Sequence, residues 1–382
     1  MKYLNFDSKL FERAQFFIIA VYLLSLAYSE ALKNISLSCM VVFFVLQLLS
    51  KRINISRDFI NITIILHCIF AFCGIWFGVN SSESISQIGD LVKITFAYLF
   101  FKEIDLKFIS FEKIIDLLMV GFIVAVTIGI MDYLLLEKTR VELHSVGSVN
   151  RSAVYIAFIF VLSLCSLSAY KSKYTSYISL TALFLAGIAL ILGASRMAIY
   201  SLPVIFAFYL FLFQKHFNKK IFVMILILFL LILIVFIFFQ DSLIVSKISA
   251  GFNDVPRIQI WISSIHIWLD NNLFFGIGVG NSIFYDVNNY FENAATSYID
   301  NFHNVYLDML VERGILGLIT FLMFMGLLFF NKNYTDSKVP FLLPLLVFSL
   351  LLMGLANITF RYEFGLFFVT IVGAYLNKNC VK

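Results

Sequence analysis

The stretch Ser152–Tyr170, SAVYIAFIFVLSLCSLSAY, runs for nineteen residues without a charged side chain. A run of about 18 apolar residues is long enough to cross about 30 Å of hydrocarbon as a helix. Comparable stretches recur near 14–30, 35–50, 59–79, 88–101, 114–134, 175–193, 198–214, 221–239, 312–330, 340–356 and 363–377. The 382-residue chain is 61% hydrophobic and 13% charged, whereas soluble domains are about half apolar and about a quarter charged. Lipid offers the backbone no hydrogen-bond partner, so apolar spans of this length must be helices. The expected fold is an all-α polytopic membrane protein of about twelve transmembrane helices, forming a single integral membrane domain over 1–382. The spans at 35–50 and 88–101 are short, which suits tilted or low-set helices. The first span is expected to be an uncleaved anchor, since eleven further spans follow it.

The Lys and Arg residues give the orientation. One set of helix ends carries 18 of the 28 cations, in the first 13 residues and at Lys51-Arg52, Arg57, Lys102, Lys107, Lys113, Lys171, Lys173, Lys215, Lys219-Lys220, Lys332, Lys338, Lys378 and Lys382. That side is expected to be cytoplasmic and to hold both termini. The outer set is Lys33, Lys138 and Lys247 against Arg140, Arg151, Arg196, Arg257, Arg313 and Arg361. Lysine suffices for a topology signal, but arginine offers a planar, permanently charged fork that grips phosphate in two places. The outer arginine excess therefore points to an anionic partner. Cys39, Cys68, Cys73 and Cys165 lie in spans and Cys380 at the cytoplasmic end, so neither an outer disulfide nor a thiolate metal site is expected.

Most connections are short. The exception is 240–311, an outer loop of about 70 residues between the ninth and tenth spans, and loops this long are usually functional. Asp254-Val-Pro256-Arg257 reads as a helix start, with Asp at the cap and Pro in the first turn. Ile258, Trp261, Ile262, Ile265 and Trp268 follow at helical spacing, giving an amphipathic helix at the membrane surface or under a lid, ended by Asn271-Asn272. Phe274-Phe-Gly276-Ile-Gly278-Val-Gly280 then reads as a tight re-entrant turn. No strand–helix–strand context supports a dinucleotide fingerprint there.

The loop ends in His303-Asn304-Val-Tyr-Leu-Asp-Met-Leu-Val-Glu-Arg-Gly314-Ile-Leu-Gly317. Histidine ionises with an unperturbed pKa of about 6.5, which suits a general base near neutral pH. A lone histidine is more often structural, but His303 sits at an outer interface beside Asn304. Of the other histidines, His67 is mid-span, His216 cytoplasmic, and His144 and His266 lie in outer loops, with His266 read as surface-facing. Arg196 ends Leu192-Gly-Ala-Ser-Arg196 at an outer turn, where it either meets an anion or snorkels to a lipid headgroup. Arg257, Arg151 and Arg361 carry the same ambiguity. Lys93 either pairs with Asp90 or faces a polar cavity. Glu312 and Arg313 read as a local ion pair, with Gly314 and Gly317 allowing close packing of the tenth span.

These residues together resemble the O-antigen ligase / O-antigen polymerase superfamily of bacterial envelope enzymes. The ligase pattern is His-Asn/Ser/Gln, nine residues, then Gly-x-x-Gly before a span; His303-Asn304, residues 305–313, Gly314 and Gly317 match it. Ser195-Arg196 resembles the family's Ser-Arg at an outer helix turn. Arg257 to Trp261 followed by Gly276-Ile-Gly278-Val-Gly280 resembles its Arg-x-x-x-Trp helix and glycine-rich turn. The sharp motifs cover about 193–317.

The resemblance implies transfer of a glycan from undecaprenyl diphosphate to a sugar hydroxyl of lipid A–core, on the periplasmic face of the bacterial inner membrane. It implies no metal, no cofactor and no nucleic-acid partner. His303 would be the base, and Arg196 and Arg257 would bind the diphosphate. Asn304, Lys93, Arg151 and Arg361 would be further substrate-binding residues. A single base without a carboxylate nucleophile implies inversion. A polymerase joining undecaprenyl-diphosphate-linked repeats is the alternative. A transporter of the same lipid-linked glycan is a third reading, disfavoured because no inverted repeat or pair of broken helices is evident in the sequence.

Overall fold

A computed structural model of the chain describes residues 8–136, 138–193, 195–213, 255–291, 299, 301–331, 339 and 341–380. The expected ninth span, 221–239, lies outside the described residues, as do 240–254 with the expected Asp254 cap, and 292–298 of the long loop. The regular elements among the described residues are all helical. They are α1 (Ser8–Ser25), α2 (Glu30–Leu49), α3 (Phe59–Cys73), α4 (Ser81–Glu103), α5 (Phe111–Leu135), α6 (Val149–Ala169), α7 (Lys173–Gly193) and α8 (Arg196–Phe213). After the undescribed stretch come α9 (Val255–Asp270), α10 (Val305–Phe329), α11 (Leu342–Met353) and α12 (Tyr362–Leu376).

Among the described residues, six helices have the length and hydropathy of membrane spans, as a multi-pass membrane protein requires: α2, α3 with its 3-10 extension to Trp76, α5, α6, α7 and α10. α8, α11 and α12 are apolar but shorter. At about 1.5 Å per residue, the 12-residue α11 is too short to cross about 30 Å alone.

The charge-free stretch Ser152–Tyr170 falls in α6 and its C-cap, and residues 152–166 are buried on every side. A helix that is apolar all round belongs in an interior, and α6 packs against α5, α7, α8, α11 and α12. Where α6 meets α7, Ser179 Oγ donates to Ser166 Oγ at 2.8 Å. Small polar residues of this kind let helices approach closely and bond across the contact.

Two helix starts differ most from the hydropathy reading, and α2, expected to be short over 35–50, runs from Glu30 to Leu49. α4 begins at Ser81, not near 88, because Asn80 caps it: the Asn80 side chain accepts from the Ser82 and Glu83 amides. Its polar first turns are satisfied by protein contacts and need no lipid. α10 begins at Val305 rather than 312, because Asn304 caps it in the same way.

The amphipathic helix α9 is present, but with a different inner face. Ile260, Ser263, Ser264 and Ile267 are buried, Trp261 and Trp268 are half-buried, and Ile258, Ile262 and Ile265 are exposed. α9 carries apolar residues around much of its circumference, so spacing alone cannot say which face the protein takes. The buried side joins a small core with Ile277, Val287, Ile299, Phe302 and Val311.

The bundle has two distinct polar ends. At one, Asn377 Nδ2 donates to the carbonyls of Phe101 and Ile104, Lys102 pairs with Asp58, and Thr175 bonds Glu112. At the other, the Val141 amide reaches Leu192 O, Arg151 lies over Tyr362, and Lys33 pairs with Glu363. His303 and α9 belong to this second end.

Candidate functional site

The segment carrying His303 is fastened to its surroundings by main-chain bonds. Asn304 Oδ1 accepts from the Tyr306 and Leu307 amides at 2.9 and 3.1 Å, while Asn304 Nδ2 donates to Leu355 O at 3.0 Å. The Val305 amide donates to Gly354 O at 2.8 Å and Tyr306 Oη to Leu351 O at 2.9 Å. Both ends of the Asn304 amide thus engage the backbone, which makes this residue the cap of α10 and its link to the end of α11. Asparagine suits the task because its side chain replaces the acceptor that a first helical turn lacks.

His303 itself has a left-handed backbone, φ 50°, and is half-buried. Its amide donates to Asn301 Oδ1 at 3.0 Å. Left-handed backbone is uncommon outside glycine and costs of order 1 kcal/mol or more, so it persists where surroundings over-determine it.

Eleven residues beyond His303, α10 breaks. Gly314 has φ 66° and ψ −174°, and two helical pieces meet across it. Gly314 does allow close packing, as the sequence reading expects, but it also breaks the helix, which that reading does not foresee. The break frees carbonyls on one side and amides on the other, and the glycine-rich turn satisfies both. The amides of Ile277 and Gly278 donate to Val311 O (2.8 Å) and Glu312 O (3.1 Å), while those of Ile315 and Leu316 reach Leu273 O (2.9 Å) and Phe274 O (3.4 Å). Irregular backbone at such depth is tolerated where protein supplies its partners. The fit excludes side chains: a Cβ on Gly314 would lie 2.1 Å from Phe274 O, and one on Gly276 2.2 Å from Val311 O.

Asp308 and Glu312, one helical turn apart on α10, are both fully buried. Arg361 Nη1 lies 3.4 Å from each carboxylate, and Glu312 Oε1 also accepts from the Gly280 amide at 2.9 Å. Burial works against the Arg361 charge, but Glu312 and Asp308 outweigh it and hold its pKa above the ordinary arginine range. Glu312 and Arg313 were expected to pair locally. Adjacent helix residues do not face one another, and Arg313 instead turns inward, its Nη1 2.9 Å from His67 Nε2 and 2.6 Å from Met309 Sδ.

The other expected residues are placed as follows. Arg151 stacks on Tyr362, its guanidinium carbon 3.8 Å from the ring centre, and both line a small cleft with Val146, Ile358 and Arg361. Lys93 pairs with Asp90 at 3.2 Å while staying partly exposed. Arg196 opens α8 behind the buried Ser195 and is half-buried. Arg257, also half-buried, lies in the first turn of α9. One turn along, the Trp261 indole donates to Phe302 O at 3.0 Å, which fixes α9 beside the His303 turn. His266 is exposed and stacks on Tyr290, as the surface-facing reading expects.

The sequence reading misses Asp308 and Tyr362, and it pairs Glu312 with Arg313, whereas Arg361 partners the one and His67 the other. A signal existed for Asp308 and Glu312: carboxylates at i and i+4 inside an apolar span are costly and rarely idle.

Residues 180–322 match the sequence model of a family described as O-antigen ligase. The match covers rather more than a third of the chain, and takes in Arg196, Arg257, His303, Gly314 and Gly317. No curated protein matches the chain.

Proposed function

We propose, from the match of residues 180–322 to the O-antigen ligase family, that this chain is a membrane glycosyltransferase that moves a glycan from undecaprenyl diphosphate to a sugar hydroxyl of lipid A–core. The observation that carries the reading is His303, held in a left-handed turn at the capped start of α10 inside the matched residues. The polar end that holds it is read as the periplasmic end of about twelve spans, with both termini cytoplasmic in the bacterial inner membrane. The loop 240–311 forms part of the active site.

The acceptor hydroxyl oxygen attacks the anomeric carbon while the bond from that carbon to the diphosphate breaks. The hydroxyl proton passes to His303, and the electron pair leaves with the diphosphate. One displacement inverts the anomeric centre. Diphosphate is a good leaving group and needs charge neutralisation more than an acid, which the Arg196 and Arg257 forks supply. Lys93 and Arg151 are the further candidates for contact with the anionic donor. For Arg361 and Asn304, whose polar atoms meet Asp308, Glu312 and main chain, a positioning role is the stronger reading.

Complementation of a deletion host tests this. Loss of a ligase leaves polymer on undecaprenyl diphosphate and none on the core, whereas loss of a polymerase leaves core capped by one repeat. Arg196→Lys and Arg257→Lys should each impair transfer, because lysine keeps the charge and loses the fork. Normal transfer by a well-expressed His303→Ala protein would exclude the base assignment.

A further inference from the structure

The main-chain bonds that seat the glycine-rich turn in the break of α10 explain how the break is tolerated, but not why a fully buried carboxylate stands beside it. A buried charge is costly unless paired and hydrogen-bonded, and a well-packed apolar side chain usually fills such a place at no loss. Glu312 joins three segments instead: α10 to which it belongs, the turn through the Gly280 amide, and the α11–α12 connection through Arg361. The turn in turn fixes α9. Only Asn271 and Asn272 separate the end of α9 from Leu273, and the Trp268 indole donates to Leu273 O at 3.1 Å. The beginning of α9 is tied down by the Trp261–Phe302 bond. α9 is therefore a strut held at both ends, with Arg257 in its first turn.

We propose that Glu312 is a positioning residue that locks the turn 274–280 into the broken helix α10 and thereby fixes Arg257 relative to His303. The proposal rests on the reading of Arg257 as a diphosphate ligand. It assigns to Glu312 no contact with substrate. Displacement of a well-placed group by about 1 Å can cost on the order of a hundredfold in rate, so a loosened strut has a measurable consequence.

The test uses full-length protein in lipid nanodiscs, with two measurements. The first is amide hydrogen exchange over 274–281. The second is transfer kinetics with a lipid-diphosphate-linked glycan donor, for Glu312→Ala, Glu312→Gln, Arg257→Ala and the double variant Glu312→Ala/Arg257→Ala. Glu312→Ala should raise exchange at 274–281 and lower kcat/KM on the order of a hundredfold. Glu312→Gln keeps an oxygen for the Gly280 amide, so it should retain the protection and most of the rate. The double variant should be little worse than Arg257→Ala, because residues that act through one another are not additive. Additive losses, unchanged exchange in Glu312→Ala, or a Gln variant as poor as Ala would each overturn the proposal. Normal transfer by Arg257→Ala would overturn the diphosphate reading itself, and the exchange measurement tells that outcome apart from a failed lock.

Discussion

The indole N–H of Trp261 donates to the carbonyl oxygen of Phe302 at 3.0 Å, one residue before His303. The bond joins a surface helix to the segment that carries the proposed base, across 41 residues of sequence. Phenylalanine at 261 would keep the packing against Phe302 and lose the donor. A hydrogen bond of this kind contributes about 1 kcal/mol net. Trp261→Phe should therefore fold, and its transfer rate should fall by roughly five- to tenfold through a looser α9. Glycan transfer by matched amounts of protein is the measurement, and a wild-type rate would remove the bond from the account.

The left-handed backbone of His303 separates stability from activity. Asparagine tolerates φ near 50° better than most residues, and it cannot act as a base near neutral pH. His303→Asn should match or slightly exceed the wild-type thermal midpoint while transfer falls to background. A thermal unfolding curve in detergent beside an in vivo transfer assay checks both halves. Transfer that survives in His303→Asn would move the base elsewhere.

Two of the three glycines of α10 are in opposite circumstances. Gly314 has φ 66° and no room for a Cβ, with Phe274 O at 2.1 Å. Gly326 is helical, and a Cβ there meets nothing within 4 Å. Gly314→Ala should lose the seat of the glycine-rich turn, at a cost of about 2 kcal/mol or more from backbone strain and clash together. Gly326→Ala should stabilise by up to about 1 kcal/mol, since alanine loses less backbone entropy in a helix, and should leave transfer unchanged. Thermal midpoints for the two variants provide the comparison, and equal effects would argue against a break at 314.

How far the sequence could be read depended on which residues face lipid. Ser152–Tyr170 was legible because a long charge-free run has few uses except burial or spanning, and α6 is both long and buried. The start of α4 was not legible, because Ser81–Gln87 looks too polar for a span and its partners, such as Asn281 on Ser84, come from 197 residues away. The His303-Asn304…Gly314 spacing has a structural basis that the sequence alone did not reveal. Its nine intervening residues, 305–313, are the helical piece between a side-chain cap and a break. Glycine permits close packing and left-handed backbone alike, so Gly314 could not be told apart from Gly317 without the turn that fills the gap. In α9, apolar residues on both sides left the inner face open, and burial chose Ile260 and Ile267. The placement of Asp308 and Glu312 against Arg361 joins residues about fifty positions apart, which only the fold brings together.

The His67–Arg313 contact permits a test of what the buried polar groups contribute. Arg313 is 1% exposed, and His67 is fixed from its other side, its Nδ1 3.1 Å from both Gly317 O and Thr320 Oγ1. With Nδ1 donating, Nε2 is left to accept from Nη1 of the Arg313 guanidinium. Removing only the acceptor leaves a buried cation poorly solvated, which typically costs about 3–5 kcal/mol. His67→Ala should therefore be strongly destabilised or fail to accumulate. Replacing both partners by apolar residues of similar volume removes the unpaired charge, and such exchanges are often neutral. His67→Leu/Arg313→Met should recover most of the lost thermal stability, measured in the same detergent as wild type. It should also retain transfer, because neither residue is among those proposed to hold donor or acceptor. A double variant as unstable as His67→Ala would mean that the pair holds the bundle in a way apolar packing cannot replace.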